Sequence, residues 1–508
     1  MPGSQELRGG HETCHASADH DHAFGLRGSR LEPTFEHPKV LVNGAGNAHR
    51  VGTLYGPPMH HFDDIAERAT TACLDYALER LRDDPAPLDR SVPYDELARA
   101  AGQNITAAGR APEEVLRVFK EVLARACLST DSPRFLAFIP AAPTKAALVF
   151  DTVVGASSMC ATSWLEASGA VYAENEALRY VADLAGMGPE AGGCFVSGGS
   201  AGNLSALVAA RDTAARARGS RPDRWRVAVG EESHSSIQSA LRVIDCDPLV
   251  IPSGPADRMT GDSLRAVLNS DPDPSSICAV AATAGTTNAG IIDDLAGLSA
   301  VARDRDIWFH VDAAYGGAAM AAPSVRDRFA GIAAADSLVV DPHKWLFAPF
   351  DSCALLYREP ELAQAVHAQH ASYLEPMRLA GEWNPADYAY HLSRRARGLP
   401  FWYSLAVYGT DAYAAAIEQV LGTTQAAARR IDEVDHVSLI RDPELSVVLF
   451  RRPGWSDADY FEWSQCLLRE QVAFILPTSW RGEIVARAVF LNPNTTLEIF
   501  DEVLETMR

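Results

Sequence analysis

The stretch Ser337-Leu-Val-Val-Asp-Pro-His-Lys-Trp345 sets a lysine close behind a short apolar run, and a second apolar run, Cys353-Ala-Leu-Leu-Tyr357, follows it. Both apolar runs are typical of buried strands. Lys344 is therefore predicted to lie in a polar turn between two core strands. Loss of hydration at such a place lowers the pKa of an amine, so that the neutral amine can attack a carbonyl and form a Schiff base. A solvated loop lysine is the alternative that these residues alone leave open.

The chain is long and acidic. It has 508 residues, and its 45 Lys and Arg against 66 Asp and Glu give a formal net charge of -21. So acidic a surface repels phosphate backbones and anionic lipids, which argues against nucleic-acid and membrane partners. Neither a transmembrane helix nor a signal peptide is predicted. The nine cysteines include no CxxC pair, which favours reduced thiols and a cytoplasmic location.

The N-terminal region divides into two predicted segments. Residues 1–55 are rich in Gly, His and Asp without periodicity, and we predict a disordered tail. The tail contains possible metal ligands, namely His11, Cys14, His15, His20, Asp21 and His22. No folded frame is evident to fix these ligands, so no metal site is predicted. Residues 56–140 carry two helical stretches, about Met59–Arg82 and Pro112–Leu128, and are predicted to form an arm that embraces the main domain or a partner subunit.

Residues 141–409 are predicted to form the large domain. Helical stretches separate most of its apolar runs, which are Cys194–Val196, Arg226–Val229, Pro248–Ile251, Ile277–Ala282, Ile307–Val311 and Ser337–Val340. This alternation indicates an α/β domain with a mostly parallel sheet, in which functional residues lie beyond the carboxyl ends of the strands. Long helices are predicted over Asp151–Trp164, over Val171–Met187 and from about Arg394 past Tyr408. Residues 410–508 alternate differently and are predicted to form a smaller α+β domain.

The first of these strands leads into Ser197-Gly-Gly-Ser-Ala-Gly-Asn203, and a predicted helix begins at once. Gly199 lets the backbone approach a ligand closely, and Ser200 adds a hydroxyl. The helix N-terminus supplies free N–H groups and the positive end of the helix dipole. These features suit a phosphate group, while a tight strand-to-helix turn without a ligand is the alternative.

Four further residues follow later strands at the same edge of the sheet. His234 could stack on a flat ring, or it could be incidental to a helix start that the neighbouring serines cap. Thr283 supplies a hydroxyl at a strand end, where an ordinary turn is the alternative. Asp312 directly follows an apolar run, so its carboxylate needs a cationic partner such as a protonated ring nitrogen, unless it is a satisfied structural carboxylate. Ala314 is small enough to leave room for a flat ligand.

The order of these features, with a His-Lys pair after Asp312, resembles the pyridoxal-phosphate (PLP) enzymes of fold type I, the aspartate-aminotransferase-like fold. More closely, it resembles the group II amino-acid decarboxylases, which include the aromatic-L-amino-acid, glutamate and 2,4-diaminobutyrate decarboxylases. The resemblance extends from about Ser132 to Tyr408. Its most specific motifs are His310-Val-Asp-Ala-Ala-Tyr-Gly-Gly317 and Asp341-Pro-His-Lys-Trp345.

The resemblance implies a role for each residue around the cofactor ring. Lys344 would hold PLP as a Schiff base, and Asp312 would pair with the pyridinium nitrogen. The ring would then stabilise the carbanion that departing CO2 leaves behind. His234 would stack on one face of the ring, and Ala314 would lie against the other.

The resemblance also assigns the residues around the phosphate and the substrate. Gly199 and Ser200 match the phosphate-binding turn, and Thr283 matches a threonine near the cofactor. His343 matches a histidine that lines the substrate site. Asp341 departs from the pattern, because the animal enzymes carry asparagine there. A carboxylate beside a phosphate is repelled unless it points away or pairs with a cation, and its role stays open.

A polar, aperiodic stretch, residues 374–391, falls where the family has a mobile loop that closes over the site. In the family that loop carries a tyrosine that returns a proton after decarboxylation. Tyr388, upstream of Arg394-Arg395, is the best match, and Tyr390 is an alternative. His343 could also deliver the proton, and either tyrosine could be an ordinary loop residue.

These features predict an L-amino-acid decarboxylase that releases CO2 and an amine. The substrate is expected to be aromatic or apolar, because the segment Phe135–Pro140, which matches a lining of the substrate pocket, is apolar, and Trp164 is near. An oxygen-using, decarboxylating aldehyde synthase stays open, although Tyr388 and His234 favour the decarboxylase. Another fold-type-I activity of secondary metabolism also stays open, whereas a non-catalytic PLP-binding protein is disfavoured. The resemblance implies a homodimer with shared active sites.

Overall fold

The computed structural model of the protein describes residues 58–139, 141–377 and 381–508. The chain divides into two units, Met1–His60 and His61–Arg508. In the first unit the described residues form a short 3-10 helix, Pro58–His60. The predicted tail of residues 1–55, with its candidate metal ligands, lies outside the described residues. The helices and strands that follow belong to the second unit.

Along the described sequence, the α-helices of the second unit precede, separate and follow its strands. In chain order they are α1 (Asp64–Arg82), α2 (Tyr94–Ala101), α3 (Pro112–Val118), α4 (Lys145–Ala156), α5 (Trp164–Leu184), α6 (Gly199–Arg218), α7 (Ser235–Val243), α8 (Gly261–Ser270), α9 (Leu295–Asp304), α10 (Pro360–His367), α11 (Leu399–Tyr408), α12 (Thr410–Asp432), α13 (Asp457–Arg469) and α14 (Leu497–Glu505). In this described part of the chain, none of the helices has the length and apolar character that crossing a bilayer requires.

A seven-stranded sheet forms the centre of the second unit. Its strands are β1 (Gly192–Val196), β2 (Trp225–Gly230), β3 (Cys246–Ile251), β4 (Ile277–Thr283), β5 (Trp308–Asp312), β6 (Ser337–Val340) and β7 (Cys353–Tyr357). Across the sheet they lie in the order β1-β7-β6-β5-β4-β2-β3. β7 runs antiparallel to its neighbours β1 and β6, and the other pairs are parallel. Every strand except β7 therefore points the same way.

The predicted α/β fold with a mostly parallel sheet is confirmed. Every residue of β4, β5, β6 and β7 is buried, as expected of strands that helices cover on both faces. Thr283 is the register partner of Asp312, and Asp312 is the partner of Val339. The carboxyl ends of these neighbouring strands thus lie side by side, where the sequence places its polar motifs.

A second, smaller sheet lies in the C-terminal part of the unit. Its strands are β8 (Ser438–Leu439), β9 (Val447–Arg451), β10 (Thr478–Trp480) and β11 (Glu483–Val489). They lie in the order β10-β11-β9-β8, with each pair antiparallel. β10 was not predicted from the sequence, and it is only three residues long. The domain boundaries at residues 140, 409 and 410 stay a prediction.

The helix predicted over Asp151–Trp164 is wrong. α4 ends at Ala156, and α5 begins only at Trp164. Between them Ser158 has a φ of 48°, a left-handed conformation that a right-handed helix does not allow. The Ser163 hydroxyl then accepts the Glu166 N–H and caps the start of α5.

The helix predicted from about Arg394 starts later and is interrupted. Arg394 forms a buried ion pair with Glu174, with N–O distances of 2.7 and 2.8 Å, and donates to the Ala161 carbonyl. α11 begins at Leu399. It ends before Gly409, which has a φ of 79°, and α12 begins at the next residue.

The stretch 374–391, expected as a mobile loop, is packed over its second half. Residues 384–389 are buried. The Asn384 side chain accepts the Trp164 N–H at 3.0 Å and donates to the Met377 carbonyl at 3.2 Å. This half is therefore fixed against the start of α5, while residues 378–380 lie outside the described part of the chain.

Candidate active site

A cavity of about 450 Å³ opens at the carboxyl ends of the parallel strands. The structure brings eight of the nine predicted site residues to it: Lys344, Asp312, His234, His343, Gly199, Ser200, Thr283 and Ala314. They come from five different strand ends and are far apart in sequence. Tyr388, the ninth, does not line the cavity. Among the residues that the structure describes, no cluster of His, Cys, Asp and Glu is arranged to hold a metal ion.

The turn between β1 and α6 forms one wall of the cavity. α6 begins at Gly199, so its first N–H groups face the cavity mouth without intrahelical partners. A Cβ added at Gly199 would lie 3.0 Å from the Ala314 Cβ and 3.2 Å from Asp341 Oδ2. A side chain at this position would crowd the wall, and a helix start with free N–H groups suits an anion, while the predicted binding of a phosphate here stays a prediction.

Asp312 ends β5 with both carboxylate oxygens fixed. Its Oδ1 accepts the Ala314 N–H at 3.1 Å, and its Oδ2 accepts an Asn203 Nδ2 hydrogen at 2.8 Å. Thr283, its register partner on β4, is held by Asp293, whose carboxylate accepts the Thr283 N–H at 2.8 Å. Burial raises the pKa of Asp293 to about 6, against the effect of its backbone hydrogen bonds.

Lys344 is ion-paired in the cavity. Its Nζ lies 2.9 Å from Asp341 Oδ2, and the other oxygen of this buried carboxylate, Oδ1, has no hydrogen-bond partner. Burial lowers the pKa of Lys344, but the Asp341 carboxylate more than offsets this and the pKa lies above the ordinary lysine value. The sequence-based expectation of a lowered lysine pKa is therefore wrong for this state of the protein, because Asp341 supplies a counter-charge. Burial raises the pKa of Asp341 in turn, but Lys344 and then His343 hold it below the ordinary value.

His234 lies on the opposite side of the cavity, at the start of α7. It is itself the N-cap residue: its Nδ1 accepts the Ser236 N–H at 3.2 Å and lies 2.8 Å from Ser236 Oγ. The alternative in which serines cap this helix is thus not what the structure has. The ring is fixed at one nitrogen while it faces the cavity.

His343 stands between Lys344 and the mouth of the cavity. Its Nδ1 lies 2.6 Å from the Ser352 carbonyl oxygen and 3.2 Å from the Ser352 backbone nitrogen, whose N–H points to it. Its ring centroid is 4.9 Å from that of Phe350. Burial lowers the pKa of His343, although Asp341 acts in the other direction. This lowered pKa favours the neutral ring of His343, which can take up a proton.

The tyrosines near the predicted loop occupy three different environments. Tyr388 is only 4% exposed and stacks on Trp383 with ring centroids 4.1 Å apart. Burial raises its pKa well above the ordinary tyrosine value. Tyr390 is half exposed, and Tyr373, in the short 3-10 helix Ser372–Met377, is 71% exposed. The structure thus places Tyr388 in the core of the domain rather than at the site.

Residues 135–139, the described part of the predicted pocket segment, do not line the cavity of their own chain. Phe135 is buried, with its ring centroid 5.1 Å from that of Phe474. Phe138 is 58% exposed and has a φ of 54°, which is unusual for a bulky residue. Pro140 lies outside the described residues, and Trp164 does not line the cavity either.

Sequence reasoning missed three residues that shape the site. Asn203 was inside a quoted motif and Ser236 is a serine next to His234; both line the cavity and hold Asp312 and His234 by hydrogen bonds. A polar residue one turn into a predicted buried helix was the signal for Asn203. Phe350 lines the cavity from the loop before β7, and no sequence pattern marked it.

Residues 98–452 match the pyridoxal-dependent decarboxylase conserved domain. The chain belongs to this family. Membership confirms the predicted amino-acid decarboxylase activity, a carboxy-lyase reaction, and the predicted PLP cofactor.

Two decarboxylases and an aldehyde synthase from other organisms align with most of this chain. An aromatic-L-amino-acid decarboxylase of Bacillus atrophaeus is 28% identical over 435 residues, which are 83% of this chain and 89% of that protein. An L-2,4-diaminobutyrate decarboxylase of Rhizobium meliloti (strain 1021) is 31% identical and covers 71% of this chain and 74% of its own length. A phenylacetaldehyde synthase of Arabidopsis thaliana is 26% identical and covers 67% and 73%.

Solved structures share the fold of the decarboxylase. Oryza sativa TDC with PLP and tryptamine has a TM-score of 0.81 at 22% identity, covering 89% of this chain and all of that one. Mouse CSAD has a TM-score of 0.77 at 22% identity, covering 87% and 97%. At this identity the likeness supports the fold alone, which is the predicted fold type I.

The residues of the cavity fit PLP. The open wall at Gly199 and the free N–H groups of α6 suit its phosphate. The buried Asp312 carboxylate keeps both oxygens hydrogen-bonded by neighbours and can still pair with a ring nitrogen. Lys344 Nζ, between these two features, supplies the amine.

Proposed function

We propose that this decarboxylase acts on an aromatic or apolar L-amino acid and releases CO2 and the matching amine. The observation that carries the proposal is the shared cavity in which Lys344, Asp312, His234 and the Gly199 turn meet. Bound PLP supplies the electron-withdrawing ring that accepts the electrons of the breaking bond to CO2. The side chains of the protein bind, orient and move protons around it.

The charges of the cavity support the substrate class. Of the described residues that line it, Lys344 is the one lysine or arginine, and Asp341 already neutralises it. An acidic substrate side chain would find no free cation among the described residues that line this cavity, whereas Phe350 offers an apolar surface. Relatives named as aromatic-L-amino-acid decarboxylases agree with this choice.

Four residues divide the work of holding the cofactor in this proposal. The Lys344 amine holds it covalently, and Asp312 keeps its ring nitrogen protonated. His234 lies over one face of the ring and Ala314 leaves space at the other. Separately, Gly199 and Ser200 hold the phosphate, with Thr283 nearby.

In this proposal, His343 and one tyrosine transfer protons to and from the reacting carbon. A neutral His343 ring has one unprotonated nitrogen, so it can accept a proton and return it. The assignment of Tyr388 as the proton donor stays a prediction, but its burial against Trp383 argues against it. Tyr373 is a better candidate, because its exposed side chain is free to move toward a cavity.

A homodimer in the cytoplasm is the proposed working form. α1 buries no residue of its own and exposes Leu74 and Leu78, four residues apart on one face. α4 exposes Val149 and Val153 in the same way. Apolar faces of this kind mark protein contacts. The exposed Phe138 is proposed to reach the substrate pocket of the partner subunit.

The test is an assay of the purified protein with PLP and a panel of L-amino acids, in which CO2, amine, H2O2 and ammonia are followed. CO2 with amine from aromatic or apolar substrates supports the proposal, and Lys344→Ala is expected to abolish it. CO2 with H2O2 and ammonia would instead indicate an aldehyde synthase. That second function gains weight because Tyr388, one of the residues that disfavoured it, lies away from the cavity, and because a relative is named as such a synthase.

A further inference from the structure

A chain of buried hydrogen bonds runs behind the cavity from Trp308 to the two residues that face the cofactor, Asp312 and His234. It runs from β5 to β6 and back to β5, and from there it continues to α6 and α7. Two of its members, Asn203 and Ser236, already hold Asp312 and His234, and the chain extends behind them to His310, Ser337 and Trp308. The donors and acceptors of the chain must be consistent from end to end, and this requirement fixes where the protons of the site lie.

The chain begins with a group that can only donate. Trp308 Nε1 donates to Ser337 Oγ at 2.8 Å. The Ser337 hydroxyl hydrogen is then free for its second neighbour, His310 Nδ1, at 2.9 Å. His310 Nδ1 can accept this hydrogen, and the contacts at the other ring nitrogen decide that it does.

Asn203 connects His310 to the site. Its Nδ2 lies 2.8 Å from Asp312 Oδ2 and 3.0 Å from Ser236 Oγ, and its Oδ1 lies 2.9 Å from His310 Nε2. A carboxylate only accepts, so the amide nitrogen must face Asp312; with the amide turned over, two oxygens would meet. Asn203 Oδ1 must then accept a proton from His310 Nε2.

The protonation state of His310 is consistent with the hydrogen bonds at both of its ring nitrogens. Burial lowers the pKa of His310 to about 4, which outweighs the nearby Asp312 carboxylate. The ring is thus neutral at pH 7 and has one proton. That proton lies on Nε2, which leaves Nδ1 to accept from Ser337 as the far end of the chain requires.

The second branch of the chain ends on His234. Ser236 Oγ accepts from Asn203, so its own hydrogen points to His234 Nδ1 at 2.8 Å. The Ser236 backbone N–H points to the same nitrogen at 3.2 Å. A nitrogen that receives two donors carries no proton, so a neutral His234 carries its proton on Nε2.

We propose that Asn203 and His310 are positioning residues of the active site. Through this directional chain they fix the Asp312 carboxylate and set His234 to the tautomer with its proton on Nε2. A ligand atom at the outer edge of the His234 ring then meets a hydrogen-bond donor. The inference rests on the proposed function only in naming Asp312 and His234 as partners of the cofactor, since the chain of bonds belongs to the folded protein.

The first test reads the tautomers directly in the full-length protein. Histidine labelled with heavy nitrogen gives imidazole resonances from 15 residues, and His234→Gln and His310→Gln identify the two that matter. Both are expected to show a protonated Nε2 and an unprotonated Nδ1, and His310 is expected to stay neutral down to about pH 5. A proton on Nδ1 of either ring would overturn the proposal. This result does not depend on any enzymatic activity, so a failed decarboxylase assay leaves it interpretable.

The second test compares variants by their affinity for PLP and for pyridoxine 5'-phosphate, which has no aldehyde to react with lysine. His310→Leu removes the donor to Asn203 and is expected to weaken both ligands about tenfold or more, whereas His310→Gln keeps an amide donor and is expected to stay within about threefold. Asn203→Asp sets two carboxylates against each other and is expected to lose still more affinity.

The matched control is Ser205→Ala. It removes a buried hydroxyl from α6 that donates to the Ala201 carbonyl outside the chain of bonds, and no change in affinity is expected. Equal affinities for His310→Leu and the wild type, or equal losses for the leucine and glutamine variants, would contradict the proposal. If the leucine variant does not fold, the tautomer measurement on the unaltered protein still decides.

Discussion

Lys344 Nζ lies 2.9 Å from Asp341 Oδ2, so the amine that would hold the cofactor is ion-paired within its own tetrapeptide turn. The carboxylate is buried and its second oxygen has no hydrogen-bond partner, so its charge depends chiefly on Lys344 and next on His343. Burial alone would lower the pKa of Lys344, and the pair instead raises it above the ordinary lysine value. The charge at position 341, rather than burial, therefore sets how reactive the lysine is before the cofactor arrives.

Replacing Asp341 with asparagine is expected to speed the capture of PLP by the apoenzyme at neutral pH. Without the carboxylate, burial lowers the pKa of Lys344, and each unit of decrease gives about tenfold more neutral amine. The capture rate, followed by the visible absorbance of the lysine-bound cofactor, should level off at a lower pH than in the wild type. Asp151→Asn, a partly exposed member of another ion pair, is the control. An unchanged pH dependence in Asp341→Asn would count against the argument.

The acid limit of the kcat profile is expected below the ordinary histidine range. Burial lowers the pKa of His343, so its base form persists as the pH falls below about 6.5. Phe350→Ala uncovers the His343 ring and should move the limit upward, toward that value. Phe461→Ala, which removes a similarly exposed ring from α13, should leave the profile alone. If Phe350→Ala does not move the limit, the limiting group is not His343.

Replacing two of the tyrosines is expected to lower kcat to different extents. Tyr373→Phe should lower kcat by about 10²-fold or more, the usual loss for a removed proton donor, with little change in stability. Tyr388→Phe should lower kcat little, because its ring stacks on Trp383 away from the cavity. Steady-state kinetics and thermal melting decide between them, with Tyr390→Phe as a control. A large loss of kcat in Tyr388→Phe alone would restore that residue as the donor.

Charges on the apolar face of α1 are expected to separate the proposed dimer. Leu74→Glu with Leu78→Glu places two carboxylates where apolar contact is proposed, so sedimentation should show a lower mass and activity should fall. Val243→Glu, at an exposed position on α7, is the matched control and should keep the wild-type mass. A wild-type protein that sediments as a fully active monomer would refute the dimer.

Breaking the ion pair between Glu174 and Arg394 is expected to destabilise the fold. Both side chains are 1% exposed, so Glu174→Gln leaves a buried guanidinium without its counter-charge, at a cost of about 3–5 kcal/mol. Chemical denaturation measures this free energy of unfolding. Glu176→Gln, two residues along on the exposed side of α5 where Glu176 accepts from Trp402, should change it by about 0.5 kcal/mol or less.

Local patterns predicted the sheet and the cavity well for a physical reason. Strands such as Ser337–Val340 are short apolar runs between turn residues, and the polar motifs that follow them must gather where parallel strands end. The observed β6 and β7 have the predicted bounds. The cavity lining at Gly199, Asp312 and Lys344 follows from that topology.

The predictions from sequence were wrong where contacts between distant parts of the chain decide the structure. Arg394 looks helical by its neighbours, but its buried partner Glu174 lies more than two hundred residues earlier in the chain. Tyr388 looks like a loop residue, but it is held by stacking on Trp383. The raised pKa of Lys344 depends on where the Asp341 carboxylate points, which spacing alone does not specify.

The place of β7 in the sheet has a consequence for how the protein is made. β7 lies between β1 and β6, so the turn at Gly199 and the lysine at position 344 are joined through a strand that is translated after both. A growing chain that has not yet released Tyr357 from the ribosome lacks the piece that aligns them. Nascent chains stalled before this residue should therefore not retain PLP, while chains stalled well beyond it gain the missing strand.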